Sequence, residues 1–296
     1  MRAAIAIGSN STRMLAAEKR GGRLENLLRG REETRLFLGM DEKGNIRPER
    51  IQSTARAVKK LYDEAVSAGA RDVAVFATSA MRDAANGQDL AARILGDCGV
   101  QVRIISGEEE ARLAFAAAAG GGRSAVMDIG GGSTEFTVGE KGRIFWAGSA
   151  QMGASRLMKA CPVFSLQDAK RSVELARREI APLAEKVRAF GAETLTGLGG
   201  SCTTSAAMLL CREAHGLEIE GYPVSVEDVR RLLTLLSPMT IQERRQVPGL
   251  PASRAEHMPN GLCILLACME ESGFERLTVS IRTNLDGYLL SLPDEI

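Results

Sequence analysis

The sequence predicts an α/β fold made of two related halves, and three observations carry that expectation. Short β-rich runs alternate with amphipathic helical ones. The segment IAIGSNSTRM at 5–14 returns without gaps as MDIGGGSTEF at 127–136. A run of small residues, AAAAGGGR at 116–123, lies between the two copies and marks a junction.

The elements follow in order. RAAIAI (2–7), DVAVFAT (72–78), QVRIIS (101–106) and SAVMDI (124–129) are short apolar runs that each end in small or turn residues, so each is a strand. PERIQSTARAVKKLYDEAVSAG (48–69) has apolar residues at 51, 55, 58, 61, 62 and 65–66, a helical spacing that closes on Gly69. SLQDAKRSVELARREIAPLAEKVRAFG (165–191) is a second such helix, started by Ser165 and Asp168 as a capping box and stopped by Gly191. Pro182 inside it should kink the helix or divide it. Each copy of the repeated loop comes just after a strand and early in its own half. That placement predicts two half-chains of related fold facing one another across a cleft: residues 1–122 with the first loop and 123–296 with the second, the last helix packing back on the first domain.

Composition narrows the partners. The chain has 296 residues, 45% hydrophobic and 25% charged, with 38 Lys and Arg against 37 Asp and Glu and a net charge of +1. This balance points to neither nucleic acid nor a membrane surface, and the Arg-rich stretch 20–35 reads as a solvated face. The start has no long apolar segment with a cleavage site, and no uncharged apolar stretch long enough for a membrane span occurs. Six cysteines sit among apolar neighbours without a CxxC pair or zinc spacing, so reduced thiols and a cytoplasmic setting are expected.

The chemistry gathers at glycine-rich turns. In DIGGGST, glycines let backbone N–H groups approach an anion, Ser133 and Thr134 add donors, and Asp128 at the strand end can hold a divalent cation. A plain hairpin turn is the alternative, but the echo at Gly8, Ser9, Asn10 and Ser11 favours phosphate binding by Gly130, Gly131 and Gly132 as well. A third turn, LTGLGGSCTTS (195–205), places Gly199, Gly200 and Ser201 where a helix starts, a position suited to further phosphates or a nucleotide. Neither GxxxxGK[ST] nor GxGxxG is present, which disfavours the P-loop and dinucleotide folds.

Two Gly/Ser loops with an Asp-bearing strand resemble the actin, sugar-kinase and heat-shock chaperone superfamily, with its paired actin-like (ribonuclease H-like) domains. Within it, ATSAMRDAANG (77–87), IISGEEEARLAF (104–115), MDIGGGSTEF (127–136), GLGGSCTTSAAML (197–209), RAEHMPNG (254–261) and RLTVSIRTNLDGYLL (276–290) resemble the signature segments of the exopolyphosphatase and guanosine pentaphosphate phosphohydrolase (Ppx/GppA) family. The resemblance implies Mg2+-assisted hydrolysis of terminal phosphoanhydride bonds of inorganic polyphosphate, of pppGpp to ppGpp, or of both, and often a homodimer. By position it makes Glu110 the general base on the attacking water and Glu135 a second carboxylate. Glu110, Glu135 and Asp128 then surround the magnesium, and Arg82 and Asn86 contact substrate. Arg13 can do similar work beside the first loop, whereas His215 and His257 lack carboxylate or Cys company and read as structural. The family's first-loop Asp is replaced here by Ala6, which removes one anionic anchor. A catalytically weakened polyphosphate- or alarmone-binding regulator is therefore the first rival reading. A sugar-kinase-like phosphotransferase is a second, for which no acceptor-sugar pocket with an Asp base is evident.

Overall fold

The computed structural model describes residues 1–213 and 216–294. They form two compact units, Met1–Ala117 joined by the C-terminal segment from Asn284, and Ala118–Thr283.

In the first unit, β1 (Arg2–Ile7), β2 (Thr12–Arg20) and β3 (Arg23–Glu32) form an antiparallel meander. After α1 (Pro48–Ser67), β4 (Asp72–Ala77) pairs parallel with β1. The short α2 (Ser79–Asp83) and α3 (Gly87–Cys98) lead to β5 (Val102–Ile104), parallel to β4, and α4 (Gly107–Ala118) follows. The sheet order is thus β3-β2-β1-β4-β5. Alternation along β1 sorts its residues by face: Ala3, Ile5 and Ile7 pack with Val58 and Leu61 of α1, while Ala4 and Ala6 pack with Phe76, Ile105 and Leu113. A central strand covered on both faces reads as a continuous apolar run, which is why 2–7 is legible.

The β2–β3 hairpin is not among the strands expected from the sequence. Its turn is Gly21-Gly22, both at positive φ (54° and 74°), and a Gly-Gly pair between two extended runs is the signal that marks it. The Arg-rich stretch 20–35 includes β3, an edge strand whose residues are mostly exposed.

The second unit repeats the pattern. β6 (Arg123–Ile129), β7 (Thr134–Glu140) and β8 (Arg143–Ala150) form the antiparallel meander. Then come α5 (Ala154–Ala160), α6 (Leu166–Ala189), β9 (Thr194–Leu198), parallel to β6, and α7 (Gly199–Leu209). β10 (Pro223–Ser225), α8 (Val226–Leu236), α9 (Ile241–Arg244), α10 (Met258–Ser272) and β11 (Arg276–Val279) complete it, and β11 lies parallel to β9. The order β10-β11-β9-β6-β7-β8 contains the first sheet's topology with β10 added at the edge. Both units therefore carry the ribonuclease H-like arrangement, a meander followed by parallel strands.

α6 runs through Pro182 as a single helix, so of the two outcomes expected of the proline, division does not occur. Its buried stripe of Val173, Ala176, Ile180, Ala184 and Val187 continues on both sides of the proline and holds the helix together by packing. Ser165 Oγ accepts from Asp168 N–H at 3.1 Å as expected of a cap, but Asp168 returns its carboxylate to Phe164 N–H at 3.2 Å, not to the Ser165 amide. α10 is buried on nearly all sides and brings Cys263 and Cys268 into the core, with Cys202 of α7. Burial pushes the Cys263 thiol up to about 12 and raises those of Cys202 and Cys268 as well, so these thiols stay protonated and inert. Among the described residues, no helix is long and apolar enough to cross a membrane.

The C-terminal helix α11 (Asn284–Ser291) belongs to the first unit. Gly287 lets it approach α4 closely, since a Cβ there would lie 1.8 Å from the Leu113 carbonyl oxygen. Lys19 Nζ donates to the Leu290 and Leu292 carbonyls at 2.7 and 2.6 Å and ties the far end to β2.

Candidate active site

The repeated segment folds twice into one turn. In the first copy Gly8 N–H donates to Ser11 O at 3.1 Å, and in the second Gly130 N–H donates to Ser133 O at 2.9 Å. A Cβ on either glycine would meet that carbonyl at 3.0 and 3.1 Å, a contact that a side chain would have to push apart by a few tenths of an ångström. The strands flanking each turn are in matching register: Ala6 stands opposite Arg13, and Asp128 opposite Glu135. Directly opposed residues share a face of the sheet, so the second copy sets two carboxylates side by side where the first sets a methyl group beside a guanidinium.

In both loops the carbonyls are covered by another segment. Arg35 and Phe37 N–H groups donate to Asn10 and Ser9 O, each at 2.9 Å. The amides at 154–156 do the same for Gly130 and Gly131. The N–H groups of Ser9, Asn10 and Ser11, and of Gly131, Gly132 and Ser133, have no backbone acceptor among the described residues. Loops whose carbonyls are satisfied and whose amides are open form anion-binding concavities. Not every expected donor contributes, however. Thr134 Oγ1 gives its only proton to the Met152 carbonyl, and Ser9 Oγ pairs with Ser79 Oγ at 3.0 Å.

Within the first unit, Arg82 lies on α2, just after β4, and Glu110 in the first turn of α4, just after β5. Arg82 donates from Nη1 to the Ile105 carbonyl at 2.8 Å, and its Nη2 is buried with no hydrogen-bond partner among the described residues. A guanidinium half fixed by the backbone and half unsatisfied is prepared for an anionic ligand. Asn86 is held by Ile46: Oδ1 accepts from Ile46 N–H at 2.7 Å and Nδ2 donates one of its two N–H groups to Ile46 O at 3.0 Å. That pair anchors residue 46 to the start of α3. Glu110 is buried in the first turn of α4, where the helix dipole favours a carboxylate, and Asn284 Nδ2 of α11 lies 3.4 Å from its Oε1. Arg13 donates from Nε to Ser11 Oγ at 3.3 Å, within the first loop itself.

Within the second unit, Glu135 is buried and accepts from Ser149 Oγ at 2.7 Å. Asp128 lies against the start of α7: a Cβ on Gly199, which sits at φ +82°, would fall 2.6 Å from Asp128 Oδ1. Gly200 is covered by the Arg254 guanidinium, in which any Cβ would be embedded, and Ser201 Oγ packs against Gly261 of α10. The sequence singled out RAEHMPNG as a segment without assigning Arg254 a task, and only the fold brings it to the third glycine turn. His257 is buried at the N-terminus of α10, while His215 lies outside the described residues. Among the described residues no three His, Cys, Asp or Glu side chains converge as a metal-holding group. Within the second unit Asp128 and Glu135 are neighbours, and two carboxylates with substrate phosphates and water suit the hard, hydrated Mg2+ ion.

Paired ribonuclease H-like sheets, each with a phosphate-type loop after its first strand, define an actin-like phosphate-handling protein. The comparisons agree. The model of the Ppx/GppA phosphatase family matches residues 15–294. Exopolyphosphatase 2 of Mycobacterium tuberculosis is 32% identical over 314 residues, covering 98% of each chain. Among solved structures, the Ppx/GppA family member of Aquifex aeolicus superposes with a TM-score of 0.82 at 25% identity, covering 98% of this chain and 96% of that one. An exopolyphosphatase from Cytophaga hutchinsonii superposes with a TM-score of 0.87 at 27% identity, covering 97% and 96%. The chain belongs to the Ppx/GppA phosphatase family and is an enzyme of its phosphoanhydride hydrolase class.

Proposed function

We propose that the protein removes terminal phosphates from inorganic polyphosphate, with Glu110 as the general base. The observation that carries this reading is the turn each unit carries, with the carbonyls of Ser9 and Asn10, and of Gly130 and Gly131, covered from behind and the neighbouring amides open. A highly charged, chemically uniform substrate needs such repeated backbone donors rather than shaped recognition of a base or sugar. The similarity to exopolyphosphatases supports polyphosphate over a nucleotide.

In this mechanism the loop amides hold phosphate oxygens, and the unsatisfied Nη2 of Arg82 takes an oxygen of the phosphoryl group in transfer. Glu110 accepts a proton from water as it attacks the terminal phosphorus. The bridging P–O bond breaks, orthophosphate is released, and the shortened polyphosphate leaves with the electron pair on its new terminal oxygen. Asn284 and the helix dipole keep its carboxylate oriented. Asp128 and Glu135 are the residues that would hold magnesium, which supplies charge neutralisation at the phosphate oxygens. Phosphoryl transfer of this kind depends chiefly on position and electrostatics.

The test is phosphate release from polyphosphate with magnesium, compared between wild type and Glu110→Gln. General-base removal lowers turnover by about 10²–10⁴. Turnover of the mutant at the wild-type rate, with chemistry limiting, would remove Glu110 from this role. One observation favours a second reading: Ala6 lies in an apolar cluster with Phe76, Ile105, Leu113 and Leu285. If wild type binds polyphosphate or a guanosine alarmone yet releases no phosphate, a binding regulator is the better description.

A further inference from the structure

The second loop is held from behind by α5, and one of the side chains that holds it has no role in the mechanism above. Its three consecutive glycines give it the greatest backbone freedom of any segment of this length, and a loose loop would not present its amides in one arrangement. The N-terminus of α5 removes that freedom from behind. Ala154 N–H donates to Gly130 O at 3.0 Å, and Ser155 and Arg156 N–H groups donate to Gly131 O at 2.9 and 3.0 Å. Gly153 lies directly on the loop: a Cβ there would sit 2.5 Å from Gly131 C, Gly132 N and Ser133 N. The remaining carbonyl, Gly132 O, is reached by a side chain, since Arg156 Nε donates to it at 2.7 Å. Arg156 is held in turn by Gln151, whose Oε1 accepts from Nη2 at 2.8 Å. α5 is itself anchored, because buried Asn260 of α10 donates from Nδ2 to the Cys161 carbonyl at 2.8 Å, just past the helix end.

We infer that Arg156 is a positioning residue for phosphate binding: by fixing the Gly132 carbonyl it keeps the Ser133 amide, which shares that peptide plane, turned toward the ligand, beside the Gly131 and Gly132 amides that the α5 backbone already fixes. The inference rests on the reading of this loop as a phosphate site. A planar guanidinium suits the task, since Nε and Nη2 reach two acceptors at once in fixed geometry, which a lysine ammonium on a flexible stem does not reproduce. The device acts on bound substrate and transition state alike, so its loss should appear in KM and leave kcat nearly unchanged.

The experiment measures polyphosphate hydrolysis and thermal unfolding for wild type, Arg156→Ala and Arg156→Lys, and polyphosphate binding by calorimetry for Glu110→Gln with and without Arg156→Ala. The expected result is a KM raised on the order of tenfold in Arg156→Ala, with kcat changed less than about twofold and the salt dependence of KM unaltered. Arg156→Lys should recover only part of the loss, and Arg156→Ala should weaken binding in the Glu110→Gln background by the same factor. Full recovery of KM by lysine, together with a shallower salt dependence in Arg156→Ala, would overturn the inference in favour of direct contact with substrate charge. An unchanged KM with a lowered melting temperature would overturn it in favour of a purely structural role. If wild type neither binds nor hydrolyses polyphosphate, the reading of the site fails instead, and the two failures remain distinct.

Discussion

Arg29 on β3 and Asp286 on α11 form a two-pronged ion pair, Nη2 to Oδ1 at 2.6 Å and Nη1 to Oδ2 at 3.3 Å, across 257 positions of sequence. Asp286 is 4% exposed, whereas the Arg29 side chain is 40% exposed, so the carboxylate depends on the pair more than the guanidinium does. Arg29→Met should therefore destabilise by about 1–3 kcal/mol, because it leaves a buried carboxylate without its bidentate donor. Arg29→Met/Asp286→Leu should recover part of that loss. Urea denaturation of the two single variants and the double variant checks both statements. Additive effects would show that the pair contributes nothing.

Gly287 sits one residue beyond that aspartate. Gly287→Ala would drive a methyl group into the Leu113 carbonyl, and backbone cannot swing aside as a side chain can. The expected cost is about 1–3 kcal/mol of overpacking strain. Because Asn284 lies one helical turn earlier, beside Glu110, turnover should fall along with the melting temperature. A variant of wild-type stability would mean that α11 has room to shift.

Arg82→Ala tests the unsatisfied guanidinium. It should raise the KM for polyphosphate by on the order of tenfold or more, the loss of a charge-assisted bond. Its bond to Ile105 O adds a small loss of stability. A clearly lowered melting temperature with an unchanged KM would make Arg82 structural.

Ala6→Asp tests whether the first loop can hold the metal. Asp128 shows what the same place holds in the second copy, and a restored carboxylate beside Arg13 should lower the magnesium concentration needed for activity. The apolar surroundings of Ala6 set against this the burial of a charge, with a destabilisation of several kcal/mol in prospect. Magnesium titration of activity, run beside thermal unfolding, separates the terms. A folded variant with unaltered magnesium dependence would show that the first loop takes no part in holding the metal.

The sequence by itself determined the class of fold, the duplicated loop, the strands β1, β4, β5 and β6 and the helices α1 and α6. These are local patterns: the period of burial along β1 and α1, the glycines that a turn requires, and the caps of helices. It did not determine the course of α6 through Pro182, which packing on both sides of the proline decides. Nor could it show that both polar atoms of Asn86 are held by Ile46, or that Thr134 turns its hydroxyl to Met152. Residues with the right chemistry and spacing for a ligand can instead satisfy the backbone, and only distances tell the two apart. Arg254 over Gly200, Arg156 behind Gly132 and Asp286 beneath Arg29 lay equally out of reach. Each joins segments that the chain keeps far apart, or that a turn must first fold back, and no local spacing encodes which distant partner a charge will meet. Pattern fixes what an element is, whereas tertiary packing decides what each polar atom has left to offer.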